Sequence, residues 1–221
     1  MRNRDEESVQ VMKYTEPNFR SSALISIDTQ RDTLDGQPFE IPGTSAALPS
    51  MKMVLDAYRD KRMPIVHIVR IYKNDGSNVD LCRKEAVENG AQILLEGSPG
   101  CELASEIFQR PVHLDFDLLL SGKVQQIGSH EVVMYKPRWG TFYNTPLDSH
   151  LSKLGVDTLV FIGCNFPNCP RTSIYEASER DFKVALVEDA ISGLYPKGKE
   201  EMWNIGVQVT SARAVKKAVF T

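Results

Sequence analysis

The chain has 221 residues, 42% of them hydrophobic, which is enough for one well-buried core and leaves little material for a second. A net charge of -3 with scattered basic residues argues against nucleic-acid binding, which needs a concentrated positive surface. No stretch approaches the roughly 18 consecutive apolar residues of a membrane span, and the start of the chain is charged where a signal peptide is apolar. We therefore expect a cytoplasmic protein with no nucleic-acid or membrane partner.

The chain is predicted to contain an N-terminal arm over residues 1–20 and a single domain over residues 21–221. Six short apolar runs within the domain alternate with helical patterns, an arrangement typical of a parallel sheet covered on both faces. The sequence thus predicts a three-layer α/β/α, Rossmann-like fold around a mostly parallel, six-stranded sheet. The predicted strands lie at residues 23–28, 64–70, 131–136, 158–164, 184–188 and 207–209.

Helix signals fill the spaces between several of these strands. A first helix is predicted over residues 46–62, with Thr44 or Ser45 as its N-cap. Another is predicted to begin at Thr145-Pro146 and to end at Gly155, and a third covers residues 169–180. Residues 72–130 are less regular, with a turn at 97–100, a short helix at 102–108 and a hairpin about residues 121–122. Substrate-binding loops commonly lie in long inserts of this kind.

Three reactive side chains map to the same predicted edge of the sheet. Asp28 ends the first strand, Lys136 ends the 131–136 strand, and Cys169 follows the 158–164 strand. Taken singly, they have ordinary interpretations as a turn or cap aspartate, a surface lysine and a buried cysteine. Ligands in parallel α/β sheets bind beyond the carboxyl ends of the strands, so the joint occurrence indicates a site with a nucleophile, a proton carrier and a fixed positive charge.

Cys169 stands at a predicted junction between a strand and a helix. Unpaired N–H groups at a helix start favour a thiolate, so this position predicts a lowered pKa for the Cys169 thiol. The other three cysteines, Cys82, Cys101 and Cys164, are expected to be unreactive thiols in a reducing compartment. A redox pair formed by Cys164 and Cys169 is an alternative, and it requires both sulfurs within bonding range.

Several motifs in consistent order give the chain a close resemblance to a known family. They are Ile-Asp-Thr-Gln at residues 27–30, Lys-Pro-Arg-Trp-Gly-Thr-Phe at 136–142, Gly163 six residues before Cys169, Arg-Asp-Phe at 180–182 and Glu-Asp-Ala at 188–190. The sequence resembles the isochorismatase-like cysteine hydrolases from about residue 22 to its end. The resemblance implies a catalytic triad of Asp28, Lys136 and Cys169, with the proton of Cys169 passing to Asp28.

The turn before Cys169 departs from the usual sequence of the family. It contains Phe166 and Pro167, which are bulkier than the usual residues. The resemblance implies a cis peptide at Cys164-Asn165 and an oxyanion site formed by the backbone N–H groups of Asn165 and Cys169. It also implies that Phe166 and Trp139 contact the substrate, although Trp139 has an equal alternative in packing against the helix that starts near residue 145.

The cysteine distinguishes between branches of this family. Members that cleave a vinyl ether generally lack it, so Cys169 indicates an amidohydrolase that acts on a small amide, carbamoyl or ureido compound. Nicotinamidases bind a metal through an Asp-x-His pair with further histidines after the first helix and the second strand. We expect no such pair, and the segment 71–78 has no histidine, so we expect no metal, no cofactor and no nicotinamidase activity. A homo-oligomer, dimer or tetramer, is also expected. A vinyl ether hydrolase and a non-catalytic redox or binding member remain the alternatives.

Overall fold

The computed structural model of the protein describes residues 13–221, so most of the predicted N-terminal arm lies outside the described residues. The last residues of the arm lead directly into the domain. The backbone N–H of Asn18 donates to Thr158 Oγ1 at 2.9 Å, and Phe19 packs against the core. Residues 18 and 19 therefore belong to the folded domain.

The predicted α/β class and the mostly parallel sheet are confirmed, with seven strands in place of six. The strands run in the order β3-β4-β2-β1-β5-β6-β7, and every neighbouring pair is parallel except β3 and β4. Their bounds are β1 (Ser22–Ile27), β2 (Ile65–Val69), β3 (Gln125–Gly128), β4 (Glu131–Tyr135), β5 (Thr158–Gly163), β6 (Lys183–Ile191) and β7 (Gln208–Thr210).

The additional strand corrects the prediction for residues 118–127. These residues do not form a hairpin about residues 121–122, because residues 116–120 are helical. Asp115 caps that short helix by accepting a hydrogen bond from the N–H of Leu118 at 3.0 Å. The chain then forms β3, which turns at residues 129–130 and pairs with β4 at the edge of the sheet.

The helices lie on both faces of the sheet. On one face α1 and α7 pack on the side chains of β1, β5 and β6, and on the other α4, α5 and α6 cover the opposite side chains of the same strands. The bounds are α1 (Thr44–Asp60), α2 (Leu81–Glu88), α3 (Phe116–Leu120), α4 (Leu147–Leu154), α5 (Cys169–Ser178), α6 (Pro196–Asn204) and α7 (Ala212–Phe220). No helix in the described residues is long and apolar enough to cross a membrane.

Helix ends were predicted less well than helix positions. α1 begins at Thr44 with Gly43 as its N-cap, so the proposed caps Thr44 and Ser45 are wrong. Gly43 has φ of 86°, which a glycine adopts at little steric cost. The end of α4 at Gly155 is confirmed, but the predicted helix at 102–108 is only a 3-10 turn over Ser105–Ile107.

The core explains why β1, β2 and β5 read as continuous apolar runs. All three strands are buried along their whole length, because helices cover both of their faces. Each fully buried Leu, Ile or Phe on these strands contributes about 1.5–3 kcal/mol relative to an exposed position. This double burial fixes β1, β2 and β5, and β4 pairs with β2, so the carboxyl ends of β1, β4 and β5 lie at one edge.

Candidate active site

The three reactive side chains identified in the sequence meet at this edge. Lys136 Nζ lies 2.9 Å from Asp28 Oδ2 and 3.2 Å from Cys169 Sγ. The side chain of Lys136 is fully buried, and Asp28 and Cys169 are 6% and 8% exposed. The ammonium group therefore joins the carboxylate and the thiol at the bottom of a pocket.

The environment keeps Lys136 charged. Burial alone would lower its pKa, but the negative charge of Asp28 and the contact with Cys169 outweigh burial and raise the pKa of Lys136. The second oxygen of the aspartate, Oδ1, is buried and has no hydrogen-bond partner among the described residues. Asp28 thus has one oxygen held by a cation and one that is free to accept a proton.

The pKa of Cys169 corrects the expectation of a lowered value. Burial and, after it, the charge of Asp28 raise the pKa of this thiol to about 12 against the opposing charge of Lys136. Cys169 is therefore a protonated thiol at neutral pH, and its attack on a substrate requires transfer of the proton to a neighbouring base.

The turn that leads to Cys169 depends on Gly163. Its φ is 120°, and a Cβ atom there would lie 2.1 Å from the backbone oxygen of Ile27 on β1. Only glycine permits this approach of β5 to β1. The next peptide, Cys164-Asn165, is cis.

Two backbone donors in this turn have no acceptor among the residues that the structure describes. The N–H groups of Asn165 and Cys169 make no hydrogen bond to any residue in the described part of the chain. Asn165 and Cys169 both line the pocket. Their N–H groups are thus suited to bind the oxygen of a ligand.

The loop after Lys136 is fixed to the helix that carries Cys169. The N–H of Thr141 donates to Ser173 Oγ at 3.2 Å, and Ser173 Oγ donates to the backbone oxygen of Cys169 at 2.7 Å. The N–H of Phe142 donates to Glu176 Oε2 at 2.9 Å. These bonds connect the two sequence motifs and maintain the distance between Lys136 and Cys169.

The two aromatic residues assigned to the substrate wall have different positions. Trp139 lines the pocket, whereas the prediction for Phe166 is wrong because its side chain is fully buried in the core. The ring of Phe166 packs edge-on against Tyr195 at 5.6 Å, and it fills the space over Gly198. The position of Phe166 in the turn did not show whether its ring would face the pocket or the core.

The comparison with known protein families identifies the chain. The isochorismatase domain matches residues 22–213, which include all three residues of the Asp28, Lys136 and Cys169 cluster. The chain belongs to this family. The resemblance drawn from the sequence motifs is therefore confirmed.

Individual relatives place the chain among hydrolases of this family. A protein of Methylobacterium radiotolerans, ureidoacrylate amidohydrolase RutB, is 42% identical, with 76% of this chain and 65% of that protein covered. A probable inactive nicotinamidase of Arabidopsis thaliana is 25% identical over 86% of this chain and 92% of that protein. The solved structure of an isochorismatase family protein from Desulfovibrio vulgaris has a TM-score of 0.76 and 28% identity, with 91% and 100% of the two chains covered.

Several charged residues of this isochorismatase-family pocket were not identified from the sequence. Arg70, at the end of β2, donates to Asp80 Oδ2 at 3.2 Å, and Tyr72 Oη donates to the same oxygen at 2.6 Å. Arg70 and Asp80 line the pocket with Arg83 and Arg138. Two of them had a sequence signal, because Arg70 ends a predicted strand and Arg138 lies in the motif at 136–142.

The histidines take no part in the pocket. His67 on β2 is fully buried and contacts Glu131 Oε1 through Nε2 at 2.7 Å, as expected of a satisfied core histidine. Asp148 and His150 form an Asp-x-His triplet, but they lie on α4 outside the pocket lining. Among residues 13–221, no group of three or more His, Cys, Asp or Glu side chains is arranged to hold a metal ion.

Proposed function

We propose that the protein hydrolyses a carbon–nitrogen bond of a small amide, carbamoyl or ureido compound through a thioester on Cys169. The observation that carries this proposal is the free oxygen of Asp28 beside a protonated thiol, with Lys136 in contact with both groups. Such a set supplies a nucleophile, its base and a fixed charge. Membership of a hydrolase family that includes amidohydrolases supports the same reaction class.

The reaction begins when Asp28 accepts the proton of Cys169. The thiolate forms a bond to the carbonyl carbon of the substrate, and the carbonyl electron pair moves to oxygen. When this pair returns, the C–N bond breaks, and the proton held by Asp28 passes to the leaving nitrogen. Ammonia or an amine departs, and a thioester remains on Cys169.

Water completes the cycle with the same groups. Asp28 accepts a proton from water as the water oxygen bonds to the thioester carbon. The C–S bond then breaks, the acid product leaves, and the proton on Asp28 returns to the sulfur of Cys169. Lys136 remains an ammonium throughout, because its pKa is raised by its neighbours. It stabilises the carboxylate before each proton transfer and the thiolate after it.

The N–H groups of Asn165 and Cys169 are proposed to bind the oxyanion of both steps. They donate to no acceptor among residues 13–221, so they are available without the loss of a hydrogen bond within that part of the chain. Removal of one such donor typically costs ~3 kcal/mol of transition-state stabilisation.

A redox function of Cys164 and Cys169 is less consistent with the site. Cys164 is 1% exposed, and its Sγ donates to the backbone oxygen of Asp28 at 2.9 Å. Burial also raises the pKa of Cys164, so this thiol is a poor nucleophile for disulfide exchange.

Ammonia release from a panel of small primary amides and ureido acids tests the proposal. We expect turnover of at least one compound, and a decrease of at least 10³-fold in Cys169→Ala, consistent with the loss of a covalent nucleophile. Cys82→Ala is the matched control, because Cys82 is exposed and lies outside the pocket lining. Undiminished turnover by Cys169→Ala would reject the mechanism.

A further inference from the structure

The pocket has an excess of positive charge that the proposed chemistry does not use. Six charged side chains line it, and the four cations outnumber the two carboxylates. Asp28 is paired with Lys136, and Asp80 is paired with Arg70. The cations in excess are Arg83 and Arg138.

Arg83 is held in the pocket by aromatic rings. Its Cζ lies 4.3 Å from the centre of the Phe39 ring and 5.4 Å from that of Trp139. Its only hydrogen bond to another described side chain is from Nη1 to Tyr72 Oη at 3.3 Å, and no carboxylate within the described part of the chain lies within 4 Å of it. A guanidinium has five N–H donors, so most of those of Arg83 remain available.

Arg138 adds a second positive charge at the same pocket. Its Nε is 3.8 Å from Asp80 Oδ1, and its side chain is 48% exposed. Asp80 is already bonded by Arg70 and Tyr72, so it compensates Arg138 only in part. The pocket thus combines a reactive end at Cys169 with a cationic wall.

We infer that the substrate carries a carboxylate in addition to its scissile amide, and that Arg83, assisted by Arg138, binds it. A planar guanidinium oriented by stacked rings matches a carboxylate in geometry and charge. This inference rests on the proposed function for the chemistry at the amide end.

Two thiol reagents of nearly equal size test the charge preference without any turnover. Iodoacetate carries a carboxylate and iodoacetamide does not, and both alkylate a thiolate with loss of iodide. The rates at Cys169 are measured by mass spectrometry in a Cys82→Ser background, which removes the exposed thiol. N-acetylcysteine gives the intrinsic reactivity of the two reagents.

We expect the ratio of iodoacetate to iodoacetamide rates at Cys169 to exceed that of N-acetylcysteine at least tenfold. Arg83→Gln should lower the ratio about tenfold, Arg83→Lys should restore part of it, and Arg138→Gln should lower it less. Arg213→Gln, an exposed position on α7 outside the pocket lining, removes the same charge and should leave the ratio unchanged.

Two results would overturn the inference. One is a wild-type ratio no greater than that of the free thiol, which needs no variant to interpret. The other is an equal slowing of both reagents by Arg83→Gln, which would show that Arg83 only holds α2 in place. If the protein releases ammonia from amides but Cys169 shows no preference for iodoacetate, the proposed function stands and the carboxylate site is rejected. If Cys169 prefers iodoacetate but no amide is hydrolysed, only the proposed function is rejected.

Discussion

Lys136 Nζ lies 2.9 Å from Asp28 Oδ2, and the lysine side chain has no exposed surface. A buried charge that loses its partner costs more than an exposed one, because the remaining ion has left water without compensation. The ion pair is therefore part of the reactive group, and it also contributes to the stability of the folded protein.

A double-mutant cycle measures this dependence. We expect Lys136→Met to lower the free energy of unfolding by about 3–5 kcal/mol, because Asp28 is left buried and unpaired. Asp28→Asn combined with Lys136→Met should recover much of the loss, since both charges are then absent. Urea unfolding of the four proteins gives the coupling energy.

The matched control for this cycle is Lys52→Met. Lys52 pairs with Asp56 on a partly exposed face of α1, four residues apart, and such a pair contributes about 0–1 kcal/mol. A coupling energy between Asp28 and Lys136 no larger than the effect of the surface pair would contradict the account.

Phe166 and Trp139 are expected to respond differently to truncation. Phe166→Ala should lower the free energy of unfolding by about 3–5 kcal/mol, because its ring fills a buried space beside Tyr195 and Gly198. Trp139→Ala should change the relative rates for small and bulky amides with a smaller loss of stability. Thermal unfolding and a substrate panel separate the two effects, and a stable Phe166→Ala protein with altered selectivity would reverse the assignment.

The strand-end positions of Asp28, Lys136 and Cys169 could be predicted because parallel strands present their carboxyl ends at one edge. The β3 strand could not be predicted, because it lies at the edge of the sheet, is only partly buried and has no apolar run in its sequence. Arg83 was missed for another reason. It lies on α2, none of whose residues is buried, so no apolar periodicity marked that helix as part of the pocket wall.

The pKa of Cys169 shows a further limit of sequence reasoning. The start of α5 was predicted at the correct residue, but the burial of the thiol and its distance from Asp28 depend on tertiary packing. The direction of the pKa shift followed from that packing, because desolvation and the charge of Asp28 outweighed the opposing charge of Lys136.

A cluster far from the pocket predicts how stability depends on pH. Burial would raise the pKa of Glu131, but hydrogen bonds from His67 and Arg59 outweigh it and lower the pKa from 4.5 to about 2. Between pH 4.5 and about pH 2, the carboxyl group of Glu131 is protonated in the unfolded chain and ionised in the folded protein. The free energy of unfolding therefore decreases as the pH falls through this range. The shift corresponds to about 3 kcal/mol.

Glu131→Gln should remove this part of the acid sensitivity. Urea unfolding at pH 7, 4 and 3 should show a smaller loss in the variant than in the wild type. Glu179→Gln is the control, because Glu179 is exposed and forms no ion pair with another described residue. An unchanged decline in Glu131→Gln would show that other groups control the acid transition.

Removal of metal ions is expected to leave activity unchanged. The proposed reaction uses only the thiol of Cys169, the carboxylate of Asp28 and the ammonium of Lys136 in its proton transfers. Ammonia release should therefore be the same before and after prolonged dialysis against a strong chelator. Lost turnover that zinc or manganese restores would contradict the metal-free mechanism.

In the proposed mechanism, Cys169 carries the acyl group of the substrate during turnover. Acid quenching during a single turnover, followed by peptide mass spectrometry, measures this directly. We predict a transient acyl mass on the peptide that contains Cys169, which appears with ammonia release and is absent in Cys169→Ala. An acyl mass on a different residue, or full turnover by Cys169→Ala, would contradict the account.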